Sequence, residues 1–266
     1  MTVTAWVRRY PLCSYFALVF GISWGGILIV LGAADFNLIE LRRRDTGLIF
    51  ASMLLGPSVA GLTMTAMLDG RQGLHRLASR VARYRVGLRW YLVALMTMPL
   101  LLLATLWPLS LFVDPAFAPR FQWPLFAIGL VAGSFEEVGW TGFATPRLLA
   151  RHRLLVAGLS LGLVWALWHV LVDFRQNFNT LGTAWLLEFA VFYVGALTAY
   201  RLLMTWVYAN TQSLLLAVLM HASYTGWLFV LYPATSLEQG LVWQTAFAVA
   251  LWAVVAAIMV VLARRK

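Results

Sequence analysis

A chain of 266 residues that is 62% hydrophobic and 11% charged carries more apolar surface than one soluble core of that size encloses. Its formal charge of +10 sits mostly in short segments between apolar runs, a distribution that orients a membrane protein and excludes nucleic acid as a partner. The lone Cys13 rules out an intramolecular disulfide and any thiolate metal cluster.

Apolar stretches recur at 11–33, 46–68, 90–112, 123–146, 154–173, 183–207, 213–231 and 241–263. Each has roughly the 17 to 25 residues needed to cross a bilayer. The sequence therefore predicts an all-α, multi-pass bundle of about eight transmembrane helices, with 1–266 as a single domain in the cell membrane. The first stretch follows Arg8 and Arg9 but exceeds the roughly 7–15 residues of a signal peptide's apolar region, so it reads as a retained helix. Gly21 with Gly25, and Gly158 with Gly162, have the four-residue spacing that lets membrane helices approach closely.

Between the second and third spans, 70–89 places Leu74, Leu77, Val81, Tyr84 and Leu88 at steps of three and four, with Arg76, Arg80 and Arg83 on other faces. This is an amphipathic helix pattern. Two positions suit it: flat on the cytoplasmic leaflet, with 71–89 against anionic headgroups, or packed on the protein's own loops. With eight crossings, fifteen of the twenty basic residues fall on one side, Arg201 counted among them. Arg42, Arg43, Arg44, Arg120 and Arg175 fall on the other. The positive-inside rule then places both termini in the cytoplasm.

The fourth span carries adjacent acids, Glu136 and Glu137, followed one turn later by Trp140 and Thr141. Neighbouring helical residues point about 100 degrees apart, so one carboxylate can face a cavity while the other reaches a neighbouring helix. The fifth span carries Trp165 and His169 one turn apart, and the seventh carries His221 with Thr225 one turn on. Ionisable groups at bilayer depth are costly and mark chemistry or transport. Glu136, His169 and His221 suit either metal binding or metal-free activation of a water. Asp173, at i+4 from His169, is placed to orient that imidazole or to cap the helix end. Glu188 is expected at an interface or bonded to a neighbouring helix.

In this order and on separate helices, the Glu136-Glu137 segment ending in Gly142-Phe143, the Trp165 to His169 segment and the His221 segment resemble three motifs of one family. That family is the CAAX protease and bacteriocin-processing (CPBP, Abi-type) intramembrane metalloproteases. Gly56-Pro57, Arg89-Trp90-Tyr91 and Thr145-Pro146-Arg147-Leu148 extend the resemblance over most of 46–226. It implies an eight-helix bundle around a wet cavity, with a membrane-anchored peptide or protein as substrate. Glu136 and His169 would activate the attacking water, His221 would bind metal or stabilise the oxyanion, and Glu137 would support them. The implied metal is a divalent ion, zinc, on Glu136, His169 and His221.

Two positions depart from the family pattern. Thr141 stands where the family has an arginine, leaving Glu137 without a cation one turn later, and Thr225 stands where it has an asparagine. A threonine hydroxyl inside a helix often bonds back to the carbonyl four residues earlier. A noncatalytic immunity or scaffold protein of the same fold is therefore the alternative to the enzyme.

Overall fold

The computed structural model describes residues 2–33 and 43–264. A short α1 (Val3–Arg9) leads into α2 (Pro11–Gly32), α3 (Arg43–Val81) and α4 (Leu88–Phe112). Next, α5 (Phe126–Gly139) passes through a π-helical turn, Trp140–Ala144, into α6 (Thr145–Leu149). Then come α7 (Leu154–Leu181), α8 (Ala184–Phe189), a second π segment at Ala190–Leu197, α9 (Thr198–Thr211), α10 (Leu214–Leu231) and α11 (Leu237–Ala263). Among the described residues, seven helical runs are long and apolar enough to cross a membrane. They coincide with seven of the eight expected stretches, and the protein is a multi-pass helical membrane bundle. The remaining stretch, 123–146, is the run from α5 through the π turn. Arg42, Arg265 and Lys266, counted above in the charge tally, lie outside the described residues.

Local chemistry sets the helix ends. Pro11 opens α2 at a position where its missing N–H costs nothing. Gln212 adopts a left-handed conformation (φ 54°) that ends α9, and Ser213 then caps α10 by accepting from Leu216 N. Ser236 and Gln239 cap α11 reciprocally. The apolar window of α10 is 61% buried whereas that of α11 is 22% buried, so α10 is central and α11 faces lipid.

The close contacts are made by small residues, though not all of those expected. Gly129 and Gly133 of α5 lie against the backbone of α10 at Ala222 and Gly226, and Gly158 and Gly162 of α7 receive Leu202 and Thr198 of α9. Gly21 and Gly25, by contrast, face open space; it is Gly26 that packs, against Ser52. The spacing suits a contact, but among the described residues no atom lies within 4 Å of a methyl group built at either position.

Gly70 has φ 59° and ψ −155°, a conformation essentially reserved for glycine, and there α3 turns from its spanning part to a terminal segment. That segment ends at Val81, so Tyr84 and Leu88 are not on it, and Tyr84 and Leu88 are exposed. Leu77 is buried, and Arg80 Nη1 donates to the Gly142 carbonyl at 3.2 Å. The amphipathic helix thus docks on the protein's own end. Pro146 explains the vacant carbonyl: lacking an N–H, it cannot donate to Gly142 as an α-helical residue would.

Helix α5 is positioned by glycine contacts that allow little adjustment. A methyl group at Gly133 would stand 2.7 Å from the Val218 carbonyl oxygen and 2.8 Å from Ala222 N. Gly133→Ala is expected to lower stability by about 1–3 kcal/mol, read from the unfolding midpoint in mild detergent. Gly25→Ala, at an open position, should leave that midpoint unchanged.

Candidate active site

Glu136 sits near the end of α5 and is 5% exposed. Its Oε2 accepts two indole N–H bonds, from Trp140 at 3.2 Å and from Trp165 at 3.0 Å. Its Oε1 lies 3.8 Å from His221 Nε2. The i to i+4 spacing of Glu136 and Trp140 delivers one donor, and α7 supplies the other.

Glu137 points a different way, as the helical period requires. It is fully buried, and Arg201 of α9 grips it with both ends of its fork, Nη1 to Oε2 at 2.9 Å and Nη2 to Oε1 at 2.8 Å. Thr141 donates its hydroxyl to the same Oε2. His221 Nδ1 meets Oε1 at 2.7 Å. A carboxylate closed on a guanidinium only accepts, so the proton in the last bond belongs to His221 Nδ1. Nε2 of His221 is then the ring nitrogen directed at Glu136.

His169 is held from behind by its own helix. Its Nδ1 lies 2.9 Å from the Trp165 carbonyl, which can only accept, so Nδ1 carries the proton and Nε2 keeps a lone pair. The imidazole is packed against Trp168 edge-on (4.8 Å) and Tyr193 (4.9 Å). His169 and Glu136 both line a cavity of about 170 Å³ whose other walls are Thr46, Ile49, Phe50, Met53 and Leu54 of α3, with Trp168 and Val172 of α7. One water needs only roughly 10–15 Å³ by a comparable measure, so the cavity admits water and part of a substrate.

The four residues of the motif segments, Glu136, Glu137, His169 and His221, therefore meet in one place, linked through Trp165. Thr225 is half-buried, does not line the cavity, and its hydroxyl makes no hydrogen bond with another described residue. Asp173 is not the partner of His169; the backbone carbonyl of Trp165 takes that imidazole proton first. Asp173 accepts instead from Trp185 at 2.6 Å and Asn177 at 2.8 Å. Glu188 bonds a neighbour, accepting from Gln244 of α11 at 3.0 Å.

Arg201 is the residue that the charge tally misplaced. It does not lie at an interface but is fully buried, with Cζ 3.8 Å over the Trp165 ring. The signal was present, since Arg201 falls inside the apolar stretch 183–207. Removing it from the tally leaves fourteen basic residues against five, and the bias stands.

Among the described residues, no three His, Cys, Asp or Glu side chains gather as a metal site. Glu136 Oε2 is occupied by two indole donors, and Glu136 Oε1 lies 3.8 Å from His221 Nε2.

Residues 118–227 match the family described as Type II CAAX prenyl endopeptidase Rce1-like. The chain is also 30% identical, over 105 residues, to CAAX prenyl protease 2 of Methanococcus maripaludis. That alignment covers 37% of this chain and 37% of the relative, so the chain spans little more than a third of the length of that protein. The matched region contains all three motif segments; residues 46–117 lie outside it.

Glu137→Gln removes the charge that balances Arg201 while keeping the side chain's shape. Leaving a buried cation unpaired costs about 3–5 kcal/mol. The expected result is a strong fall in the unfolding midpoint in detergent micelles, checked against wild type by a chemical or thermal melt.

Proposed function

We propose that this chain, which matches the Type II CAAX prenyl endopeptidase Rce1-like family over residues 118–227, is an intramembrane endopeptidase that cuts a peptide bond in a membrane-associated substrate. One observation carries the mechanism: Glu136 and His169 share a cavity wall. Glu136 Oε1 is free of the indole bonds that hold Oε2, and His169 Nε2 keeps its lone pair.

A water between them gives one hydrogen bond to His169 Nε2 and loses its other proton to Glu136 as its oxygen attacks the amide carbon. Glu136 then delivers that proton to the leaving amine. His221, when protonated at Nε2, is stabilised by the Glu137 carboxylate behind its ring and donates to the developing oxyanion. Thr225 supplies a hydroxyl one turn from His221, at the edge of this arrangement. The apolar walls suit a substrate drawn from lipid, and Phe50, 41% exposed, joins the cavity to the outside of the bundle. The relative's name makes prenylated CAAX peptides the first panel to try.

The arginine-rich end faces the cytoplasm in this reading, with both termini there. The exposed Arg76 and Arg83 meet anionic headgroups beside the docked helix. Zinc on Glu136, His169 and His221 is the competing proposal, and it requires those donors to close in. A noncatalytic scaffold is the second reading, favoured by the position of Thr225 away from the cavity wall.

Glu136→Gln is expected to reduce cleavage of membrane-anchored peptides at least about 100-fold, with an unchanged melting profile. Equal cleavage by both proteins removes Glu136 from the mechanism, and inertness of the wild type across the panel favours the scaffold. Chelation with 1,10-phenanthroline should leave the wild-type rate unchanged. A chelator-sensitive rate restored by added zinc supports the competing proposal.

A further inference from the structure

Helix α9 brings a charge to the site that none of the three motif segments contains. Arg201 touches two side chains there, Glu137 through a bidentate pair and Trp165 through the face of its ring. Each of these in turn fixes a group that faces the cavity or Glu136. Glu137 holds the Nδ1 proton of His221, which leaves Nε2 toward Glu136. Trp165 donates its indole N–H to Glu136 Oε2 and offers its carbonyl to His169 Nδ1.

We propose that Arg201 is the positioning residue of the site, a cation delivered from α9 that fills the place vacant at Thr141 and fixes the proton of His221 on Nδ1. The inference rests on the hydrolytic reading for its effect on rate, although the proton position is a property of the resting protein.

Both placements of the cation reach the same carboxylate. A residue at 141 lies one turn from Glu137, the spacing that lets an arginine pair with a preceding glutamate. Thr141 is short, buried, and bonded to Glu137 Oε2, which Arg201 Nη1 also binds. Arginines at both positions would set two buried cations on one carboxylate. One arginine satisfies it, and the geometry allows either origin.

Without Arg201, Glu137 keeps only the Thr141 and His221 bonds and is free to turn away from His221 Nδ1. A His221 ring no longer held by that acceptor falls back to the Nε2–H tautomer that a free imidazole side chain prefers. Its Nε2–H is then that of a neutral ring with no carboxylate behind it, a weaker donor to the oxyanion than the Glu137-backed imidazolium.

The proton position is measurable. The chain has four histidines, and His75 and His152 are exposed, which separates them from His169 and His221. Two-bond proton–nitrogen correlation spectra of histidine-labelled protein in nanodiscs identify the protonated nitrogen, with His221→Gln assigning the signal. Wild type is expected to show His221 protonated at Nδ1. In Arg201→Gln the proton moves to Nε2, and kcat falls about 10- to 100-fold with KM nearly unchanged, the size of effect seen when an outer partner of an active-site ligand is lost. Arg201→Lys keeps the charge without the fork and should retain the Nδ1 proton. The exchange Thr141→Arg with Arg201→Thr should restore the Nδ1 proton and most of the lost rate.

An Arg201→Gln protein that keeps both the Nδ1 proton and the wild-type rate overturns the proposal. If Arg201→Gln does not fold, the exchange variant decides: a folded exchange protein with His221 protonated at Nε2 also overturns it. A wild type that cleaves nothing defeats the hydrolytic reading, while the spectra still decide the role of Arg201.

Discussion

A guanidinium closed on a carboxylate in the middle of an apolar bundle is the constraint around which this site is organised. Either charge alone is costly at bilayer depth. Together, Glu137 and Arg201 satisfy four of one another's hydrogen-bonding positions, and Thr141 and His221 complete the carboxylate. Such a pair contributes little net stability compared with hydrocarbon, but breaking it is expensive, so it fixes how α5, α9 and α10 meet. The adjacent Glu136 holds no cation of its own. Its two indole donors stabilise negative charge without supplying a cation, and one oxygen remains for a proton.

Backbone irregularity brings these groups together. The π turn at Trp140–Ala144 follows directly on the two glutamates, and the π segment at Ala190–Leu197 contains Tyr193, which packs on His169. Each turn of this kind advances the helical register, so the side chains beyond it face directions that an unbroken α-helix would not give. The glycines of α5 admit α10 to backbone contact beside Glu136, and those of α7 admit α9, the carrier of Arg201. Close approach and altered register are needed together, because long polar side chains from four elements converge within a few ångströms.

Much of this was legible in the chain. Seven spanning helices follow from runs of apolar residues, and the two acids and two histidines stand out because ionisable groups in such runs are rare. The resemblance tied them together before any geometry was available. Other features depend on competition that spacing does not express. Asp173 has the right separation from His169, but a backbone carbonyl on the same helix is closer to the imidazole. Gly21 and Gly25 have a packing pattern but no neighbour among the described residues, since which face of α2 meets α3 depends on the whole bundle. The π turn at Trp140–Ala144 leaves no mark in the apolar spacing, because it follows from Pro146 removing one backbone donor, with Arg80 compensating from a distant part of the chain. Arg201 was assigned to an interface by a rule that counts charges near span ends, although its place inside an apolar run already argued for a buried partner. The vacancy at Thr141 and the surplus at Arg201 are two halves of one interaction, separated by 60 residues of sequence and joined by packing.

The most direct measurement of this account is a double-mutant cycle on unfolding free energy in micelles, combining Glu137→Gln with Arg201→Met. Strong coupling between the two sites is predicted, about 2–3 kcal/mol, because the double variant removes both charges while each single variant strands one. Additivity within about 0.5 kcal/mol would contradict it, since the two side chains would then not form the buried pair on which the site is built.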